Sequence, residues 1–383
     1  MAGEREKTPE ISIILPCRNE EKAIGFCIDS IKEIIKENEL DAEIIVSDSS
    51  RDNSPLIAEQ LGVRVVKHNK KGYGIAYLEA FKEAKGKYIF MADCDGTYEF
   101  SEILRFINYL RGGYDMVIGN RFAGNLQEGS MPWLHKHVGN PFLSYVLRWF
   151  FGANVHDTHC GMRAITREAL NKLELKTTGM EFASEMIVKA VVNRLHIKEF
   201  PINYAKRIGN SKLSPFSDGW RHLRFLLMYA PNHLFIIPGL FLLLLGFFIM
   251  ILFLLGSVTI FGVTFYNRPI LLGSFFTILG YQIISLGIYS KVYMKSTRFI
   301  KSDKIVDALA SKIKLESGIL MGGLVLILAF IISIWIISNW TLAGFPEMKG
   351  NELIVALTFA IIGIQTIFSS FFLSMMLIER QEK

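Results

Sequence analysis

The sequence lacks what a metal-stapled or disulfide-bonded small domain needs. Its four cysteines, Cys17, Cys27, Cys94 and Cys160, are scattered without CxxC spacing, so neither a zinc site nor a disulfide framework is expected, and reduced thiols are. It also lacks a dominant charge. The formal net charge is +6 over 383 residues, which makes nucleic acid a poor partner. The opening MAGEREKTPE is charged and holds no apolar stretch of signal-peptide length, so no cleavable leader is expected. There is no internal repeat and no low-complexity segment. Charge itself is nearly missing from four stretches, about 235 to 256, 269 to 293, 317 to 339 and 352 to 378. Each reaches the ~20 residues that a bilayer span requires.

Up to about residue 233 charged and apolar residues are mixed, as in a globular protein. The expected organisation is therefore a soluble domain over 1–233 and a membrane domain of four helices over 234–383. The connection from 291 to 316 carries Lys291, Lys295, Arg298, Lys301, Lys304, Lys312 and Lys314, whereas the two other loops carry only Arg268 and Lys349 as cations. A cytoplasmic basic loop follows from the positive-inside rule. With four spans, the N-terminal domain and the C-terminal ERQEK then lie on the cytoplasmic side as well. The spans hold almost no ionisable residues, and Gln282 and Gln365 read as interhelical hydrogen-bonding groups rather than a transport route. An oligomer through these spans stays open.

In the soluble half, ISIILP (11–16) is a short apolar run stopped by Pro16, and the following Ile24, Cys27, Ile28, Ile31, Ile34 and Ile35 recur at helical spacing. AEIIVSDSS, SPLIAEQLG, VRVVKH, a helix at about 74 to 85 and KYIFMADCD continue the alternation. Such a pattern predicts an α/β domain with a parallel sheet, whose ligands lie beyond the carboxyl ends of the strands. The polar residues just after each strand are therefore the candidates. Asp48 and Asp52 follow the second strand, where an Asp can accept from a nucleobase N–H or simply cap a helix. NKKGYGIAY places two glycines before a helix, where backbone can approach phosphates. MADCDGTYEF sets Asp93 and Asp95 two apart after a buried run. Two such carboxylates raise each other's pKa unless a cation neutralises them, and Mg²⁺ or Mn²⁺ favours oxygen ligands with substrate phosphates.

In combination these stretches resemble the family 2 glycosyltransferases of the GT-A fold. ILPCRNEE, VSDSSRD, KGYGIA and DCDGT match that family's first-strand, nucleotide-binding, Gly-rich and DxD motifs in order. GNRF (119–122), DTHCGMRAI (157–165), GMEFASEM (179–186) and RIGNSKLS (207–214) look like later motifs of the polyprenyl-phosphate glycosyltransferases, the group of dolichol-phosphate mannose and glucose synthases. The resemblance covers nearly all of the soluble half. It implies that Pro16, Arg18, Glu20, Asp48, Lys71 and Gly72 bind the nucleotide sugar and that Asp93 and Asp95 address a divalent metal on its diphosphate. It further implies that Arg121, Arg207, Ser211 and Lys212 hold phosphate groups of donor and lipid acceptor, a task that suits the planar guanidinium fork. Asp157 and Glu185 are the carboxylates expected on the acceptor or sugar side, although Glu181 and Glu185, one helical turn apart, also read as helix surface charge.

Three departures shape the expected substrate. Ser47 stands where the family pairs a second Asp with Asp48, Thr97 stands where mannose synthases carry a Gln, and WLHKHVGN replaces an expected Arg, leaving His135, Lys136 and Asn140 as substitutes. UDP-glucose is therefore the favoured donor, with GDP-mannose and UDP-N-acetylglucosamine next. The QxxRW string of processive polysaccharide synthases does not occur. Residues 132–152 and 216–235 mix Trp, Phe and Leu with His, Lys and Arg, the composition of helices lying at headgroup level. The expected reaction is transfer of the sugar to dolichyl or polyprenyl phosphate with inversion. The alternatives are transfer to a lipid hydroxyl, which would require Glu185 or Asp157 as base, or a non-catalytic membrane scaffold.

Overall fold

In the computed structural model the described residues are 8–209, 215–261, 263–266, 268–297, 299, 315–344 and 350–378. The chain divides into two compact units between Leu226 and Leu227. In the first, β1 (Ile11–Cys17), β2 (Ala42–Asp48), β3 (Arg64–Lys67), β4 (Tyr88–Met91), β5 (Met116–Asn120), β6 (Arg163–Thr166) and β7 (Ile197–Pro201) form one sheet in the order β3-β2-β1-β4-β6-β5-β7. The helices between them are α1 (Ile24–Glu37), α2 (Ser54–Gln60), α3 (Tyr73–Glu83), α4 (Ile103–Arg111), α5 (Asn140–Phe151), α6 (Arg167–Leu173) and α7 (Phe182–Val192), with α8 (Pro215–Met228) closing the unit.

The apolar run of β1 lies at the sheet centre between β2 and β4, with Ile11, Ile13, Ile14 and Leu15 wholly buried. Full burial of such a side chain contributes roughly 1.5–3 kcal/mol. The one polar residue of that run is satisfied: the Ser12 hydroxyl donates to Glu43 at 2.6 Å and accepts from Gly86 N at 2.7 Å. The sheet is mixed rather than parallel throughout, because β6 runs antiparallel to both β4 and β5. Arg163 at the start of β6 pairs with Met91 at the end of β4, so the turn preceding β6 is delivered beside the residues that follow β4.

Two histidines, His222 buried and His159 half-buried, join α7, α8 and that same turn. His222 Nδ1 lies 2.8 Å from Ser184 Oγ, and the His159 ring stands edge-on to His222 at 4.3 Å between centroids. Burial, then the Arg163 charge, holds His222 down to about 4, and burial with the neighbouring cations depresses His159 as well.

In the second unit four helices are long and apolar enough to cross a membrane, over Asn232–Leu254, Pro269–Ser296, Leu315–Leu342 and Asn351–Leu377. The corresponding regular helices are α9 (Ile237–Leu254), α10 (Pro269–Ser296), α11 (Leu315–Leu342) and α12 (Asn351–Ile378), with a hairpin of β8 (Val258–Ile260) and β9 (Val263–Phe265) between the first two. Glycines let backbones touch. A Cβ at Gly246 would lie 2.6 Å from Gly273 O, and one at Gly280 would lie 2.7 Å from Gly239 O. Gly322 and Gly363 do the same for α11 and α12. Close backbone approach substitutes here for the hydrophobic drive that lipid removes. Between α10 and α12 the polar seam is Ser274–Thr358, Tyr281–Thr366 and Tyr289–Ser369, at 2.6–2.7 Å. Hydroxyls fill the role expected of the two glutamines, and Gln365 Oε1 is buried without a partner among the described residues.

Two outcomes follow. Gly246→Val forces a side chain into Gly273 and Thr277, so it should cost about 1–3 kcal/mol and lower the detergent-solubilised melting temperature, whereas Gly323→Ala, with nothing within 4 Å, should not. The second concerns pH. Below its ordinary value near 6.5 an unfolded histidine takes up a proton that folded His222 refuses. Stability is thus complete above about pH 6.5 and falls as pH drops, by roughly 3 kcal/mol near pH 4. Thermal unfolding at pH 7.5 and 5.5 checks this, and His222→Asn should flatten the dependence.

Candidate active site

The parallel strands β1, β2 and β4 end side by side, which gathers Cys17, Asp48 and the 92–98 turn at one edge. Asp48 is buried and folded onto its own loop, accepting from Ser50 N at 3.1 Å and Ser50 Oγ at 2.6 Å. Ser50 Oγ in turn accepts from Asn19 N at 2.7 Å, tying the β1 and β2 loops together. Pro16 contributes its carbonyl, which receives the Cys94 thiol at 3.0 Å. Ser47, in place of an Asp, donates to Ala76 O at 2.6 Å and lies 3.2 Å from His68 Nε2. Arg18 is exposed at the rim.

Asp93 and Asp95 stand beyond β4. One Asp95 oxygen accepts from Thr97 N at 3.1 Å and Thr97 Oγ1 at 2.6 Å, so Thr97 braces the carboxylate from behind. The other receives Arg207 Nη1 at 2.8 Å, and the second Arg207 nitrogen is bonded to Glu20. Asp93 is packed against the Gly161 backbone, where any Cβ would lie 2.5 Å from its oxygen. Burial, then the Asp95 charge, pushes Asp93 up to about 7, while the Arg207 and Arg121 charges and then the Tyr73 phenol work in the opposite direction. Two adjacent carboxylates, one already resisting ionisation, fit a divalent cation that completes its shell with phosphate oxygens. Among the described residues no cluster of three His, Cys, Asp or Glu side chains provides a fuller cage.

The turn before β6 forms the floor. Asp157 is wholly buried and grips Arg121 at both oxygens, 2.7 Å to Nε and 2.8 Å to Nη2, and also takes Arg121 N at 3.0 Å. Burial opposes the Arg121 charge, but the carboxylate outweighs it and the guanidinium stays charged. Its carbon lies 5.2 Å from the Tyr204 ring centre. Arg163, also buried, donates to the carbonyls of Cys160, Thr158 and Ala183, welding the floor to α7. Arg121 and Asp157 are thus brought together, with each other as principal partners.

Glu185 is placed elsewhere. It is buried on α7, 2.8 Å from buried Lys189, and accepts from Lys176 N, Thr177 N and Thr177 Oγ1. This staple fixes the 176–179 segment, which explains the Gly-rich turn. Gly72 has φ 143°, and a Cβ on it would lie 2.2 Å from Thr178 O; one on Gly74 would lie 2.3 Å from Thr177 O. The N–H groups of Gly74 and Ile75 at the start of α3 already donate to Gly179 O and Thr178 O. The turn serves chain packing at those donors, with Lys71 exposed beside it. Ser211 and Lys212 lie outside the described residues. His135 is lowered by burial, against the pull of Asp218, and Asn140 contacts Met131 Sδ at 3.5 Å. Sequence reasoning missed Tyr73, Tyr98, Tyr204 and Arg163. The only signal was an aromatic inside each turn motif and an Arg closing DTHCGMR.

Comparison with known proteins gives the same assignment. The model for glycosyl transferase family 2 matches residues 12–174, and that for the glycosyltransferase family 2 C-terminal transmembrane region matches 288–377. A low-salt glycan biosynthesis hexosyltransferase, Agl6, of Haloferax volcanii is 38% identical over 97% of this chain and 90% of its own length. A dolichyl-phosphate hexose transferase of the same organism is 33% identical over 55% of this chain and 89% of its own length. A polyprenol monophosphomannose synthase of Mycolicibacterium smegmatis is 27% identical over 54% and 82%. This chain therefore belongs to glycosyltransferase family 2, as a membrane glycosyltransferase with a GT-A domain and a C-terminal transmembrane region.

Proposed function

We propose that this enzyme transfers a hexose from a nucleotide sugar, UDP-glucose before GDP-mannose, to dolichyl or polyprenyl phosphate with inversion. The observation that carries the choice of acceptor is the engagement of Glu185 and Asp157. A lipid hydroxyl would need one of them as base, and both are buried with their oxygens committed to Lys189, the 176–177 backbone and Arg121. A lipid phosphate is already ionised near neutral pH and needs no strong base. The names of two relatives, one a dolichyl-phosphate and one a polyprenol enzyme, support the same class.

In this reading a phosphate oxygen of the lipid attacks the anomeric carbon as the bond from that carbon to the donor diphosphate breaks. The nucleoside diphosphate leaves with the bonding electron pair. Asp93 and Asp95 would hold Mg²⁺ or Mn²⁺, which supplies charge neutralisation to the leaving diphosphate. Arg207, anchored between Asp95 and Glu20, stands beside that position and would stabilise phosphate charge. Asp48 and the Asn19–Ser50 contact shape the base pocket. The floor built by Arg121, Asp157 and Arg163 holds Asp93 through Gly161, so it orients rather than reacts.

The acceptor has an ionised head and an apolar tail. On α5 and the π-helical turn before it, Trp133, Leu134, Val138, Phe142, Tyr145 and Trp149 are exposed along one face while Leu143, Val146 and Leu147 are buried. That exposed stripe supports a seat at headgroup level. We place the catalytic unit, like Lys291 and Lys295, on the cytoplasmic side; the remaining loop cations lie outside the described residues.

The deciding measurement is radiolabelled sugar entering an organic-extractable lipid, with purified protein, Mn²⁺, dolichyl phosphate and a panel of nucleotide sugars. One donor should label the lipid, and Asp95→Ala or EDTA should abolish it; no label from any donor sinks the reading. In the same assay Glu185→Gln should keep its rate per folded molecule within about threefold while melting lower, since loss of a general base would cost roughly 10²–10⁴-fold. A collapse of that size at unchanged stability would return the hydroxyl acceptor to first place.

A further inference from the structure

Where α9 stops and α12 starts, the membrane unit holds a cavity of about 540 Å³ lined by Leu254, Ile331, Ile332, Trp335, Glu352 and Val355. Its frame is packed. Asn351 Nδ2 donates to the Phe253 carbonyl at 3.2 Å, which ties the first turn of α12 to the last turn of α9 and sets Glu352 near Leu254. Ile354 and Val355 pack on the buried cluster of Met250, Phe253 and Ile270. Ile331 and Trp335, one helical turn apart on α11, supply another wall and are each more than half exposed. Apolar walls with a single charged group, in a volume within the ~300–1,000 Å³ of small-molecule sites, are the usual make-up of a ligand pocket. Glu352 is the one charged residue of α12 and is half-buried. The first turn of a helix suits a carboxylate, yet the helix contributes only about half an elementary charge there. No cation among the described residues pairs with it. An ionised carboxylate against apolar surface draws a cation, and an ionisable residue in a span marks a functional position with a partner to be named. Trp335 narrows the choice, because an indole face attracts an ammonium group, most strongly where water is excluded.

We propose that this cavity binds a membrane lipid whose head carries an ammonium group, with the ammonium at Glu352 and the Trp335 ring and the upper part of an acyl chain along Leu254, Ile331, Ile332 and Val355. The choice of occupant follows from charge and polarity together. A head that is anionic throughout brings a second negative charge to Glu352 and is repelled. A water-soluble amine satisfies the carboxylate but leaves the apolar walls uncovered. An amine-bearing lipid meets both demands. Bound there, it touches α9, α11 and α12 at once and braces the two helical hairpins against each other. The inference is independent of the reaction proposed above, since every lining residue belongs to the membrane unit.

The test is native mass spectrometry of the full-length protein in detergent, titrated with phosphatidylethanolamine or with phosphatidylglycerol of identical acyl chains, whose head offers hydroxyls in place of the ammonium. Wild type should hold phosphatidylethanolamine about tenfold more tightly. Glu352→Gln keeps the size of the side chain and should erase that preference. Trp335→Leu keeps an apolar wall and should weaken phosphatidylethanolamine about threefold. Ile331→Trp fills the cavity without changing charge and should weaken both lipids, and thermal melting without added lipid checks that each variant folds. Equal affinity of wild type for the two lipids reduces the cavity to an apolar groove that any chain fills, and it overturns the proposal. A preference that survives Glu352→Gln overturns it as well, because the ammonium is then bound elsewhere.

Discussion

Two carboxylates at the end of a buried strand repel one another, and much of the catalytic unit is arranged around that repulsion. β4 is four apolar residues long and ends where Asp93 and Asp95 must face the same space. Without neutralisation one of them gives up its charge, which is the condition Asp93 approaches. The fold supplies partial answers from distant parts of the chain. Tyr73 comes from the start of α3, Thr97 from the turn itself, and Arg207 from the segment after β7. None of these removes the excess of negative charge, because Arg207 serves Glu20 as well. A site left with that imbalance favours an added cation.

The antiparallel strand β6 is the topological device that makes this possible. In a purely parallel sheet the chain before a strand lies at the edge opposite the ligand. Reversing β6 brings the residues that precede it, from Asp157 to Met162, to the same edge as the DxD turn. The Arg121–Asp157 pair and the Arg163 clamp then fix that turn to about the precision of side-chain packing. Buried ion pairs of this kind add little net stability against an apolar replacement, yet breaking one leaves a charge stranded at a cost of about 3–5 kcal/mol. Their value lies in geometry: Gly161 meets Asp93 with no room for a methyl group.

What was legible in the sequence and what was not divides along sequence distance. The apolar runs announced β1, β2 and β4, and two like charges directly after such a run announced the paired carboxylates beyond β4, because both signals are local. Spans of nearly uncharged residues announced the membrane helices for the same reason. Direction of β6 was not local: RAIT reads as a strand in either sense, and only its pairing with β4 and β5 decides. The partner of Arg121 lies 36 residues away, so its guanidinium read as a free phosphate grip. Glu185 read as a candidate base or a surface charge, although Lys189 stands four residues on at helical pairing distance. Burial of both turned that local pair into the staple behind the Gly-rich turn.

The membrane unit follows a different physics with the same economy. Apolar side chains gain nothing by leaving lipid for one another, so the four helices are held by backbone contact at glycines and by hydroxyl pairs. Neither device places a charge inside the spans, and neither builds a route for a polar substrate. The candidate active-site residues that are described lie in the first unit, at the sheet edge where β1, β2 and β4 end. The spans and the floor are thus built independently, the one by glycine contacts and hydroxyl pairs, the other by the Arg121–Asp157 pair, Arg163 and the Gly161 backbone.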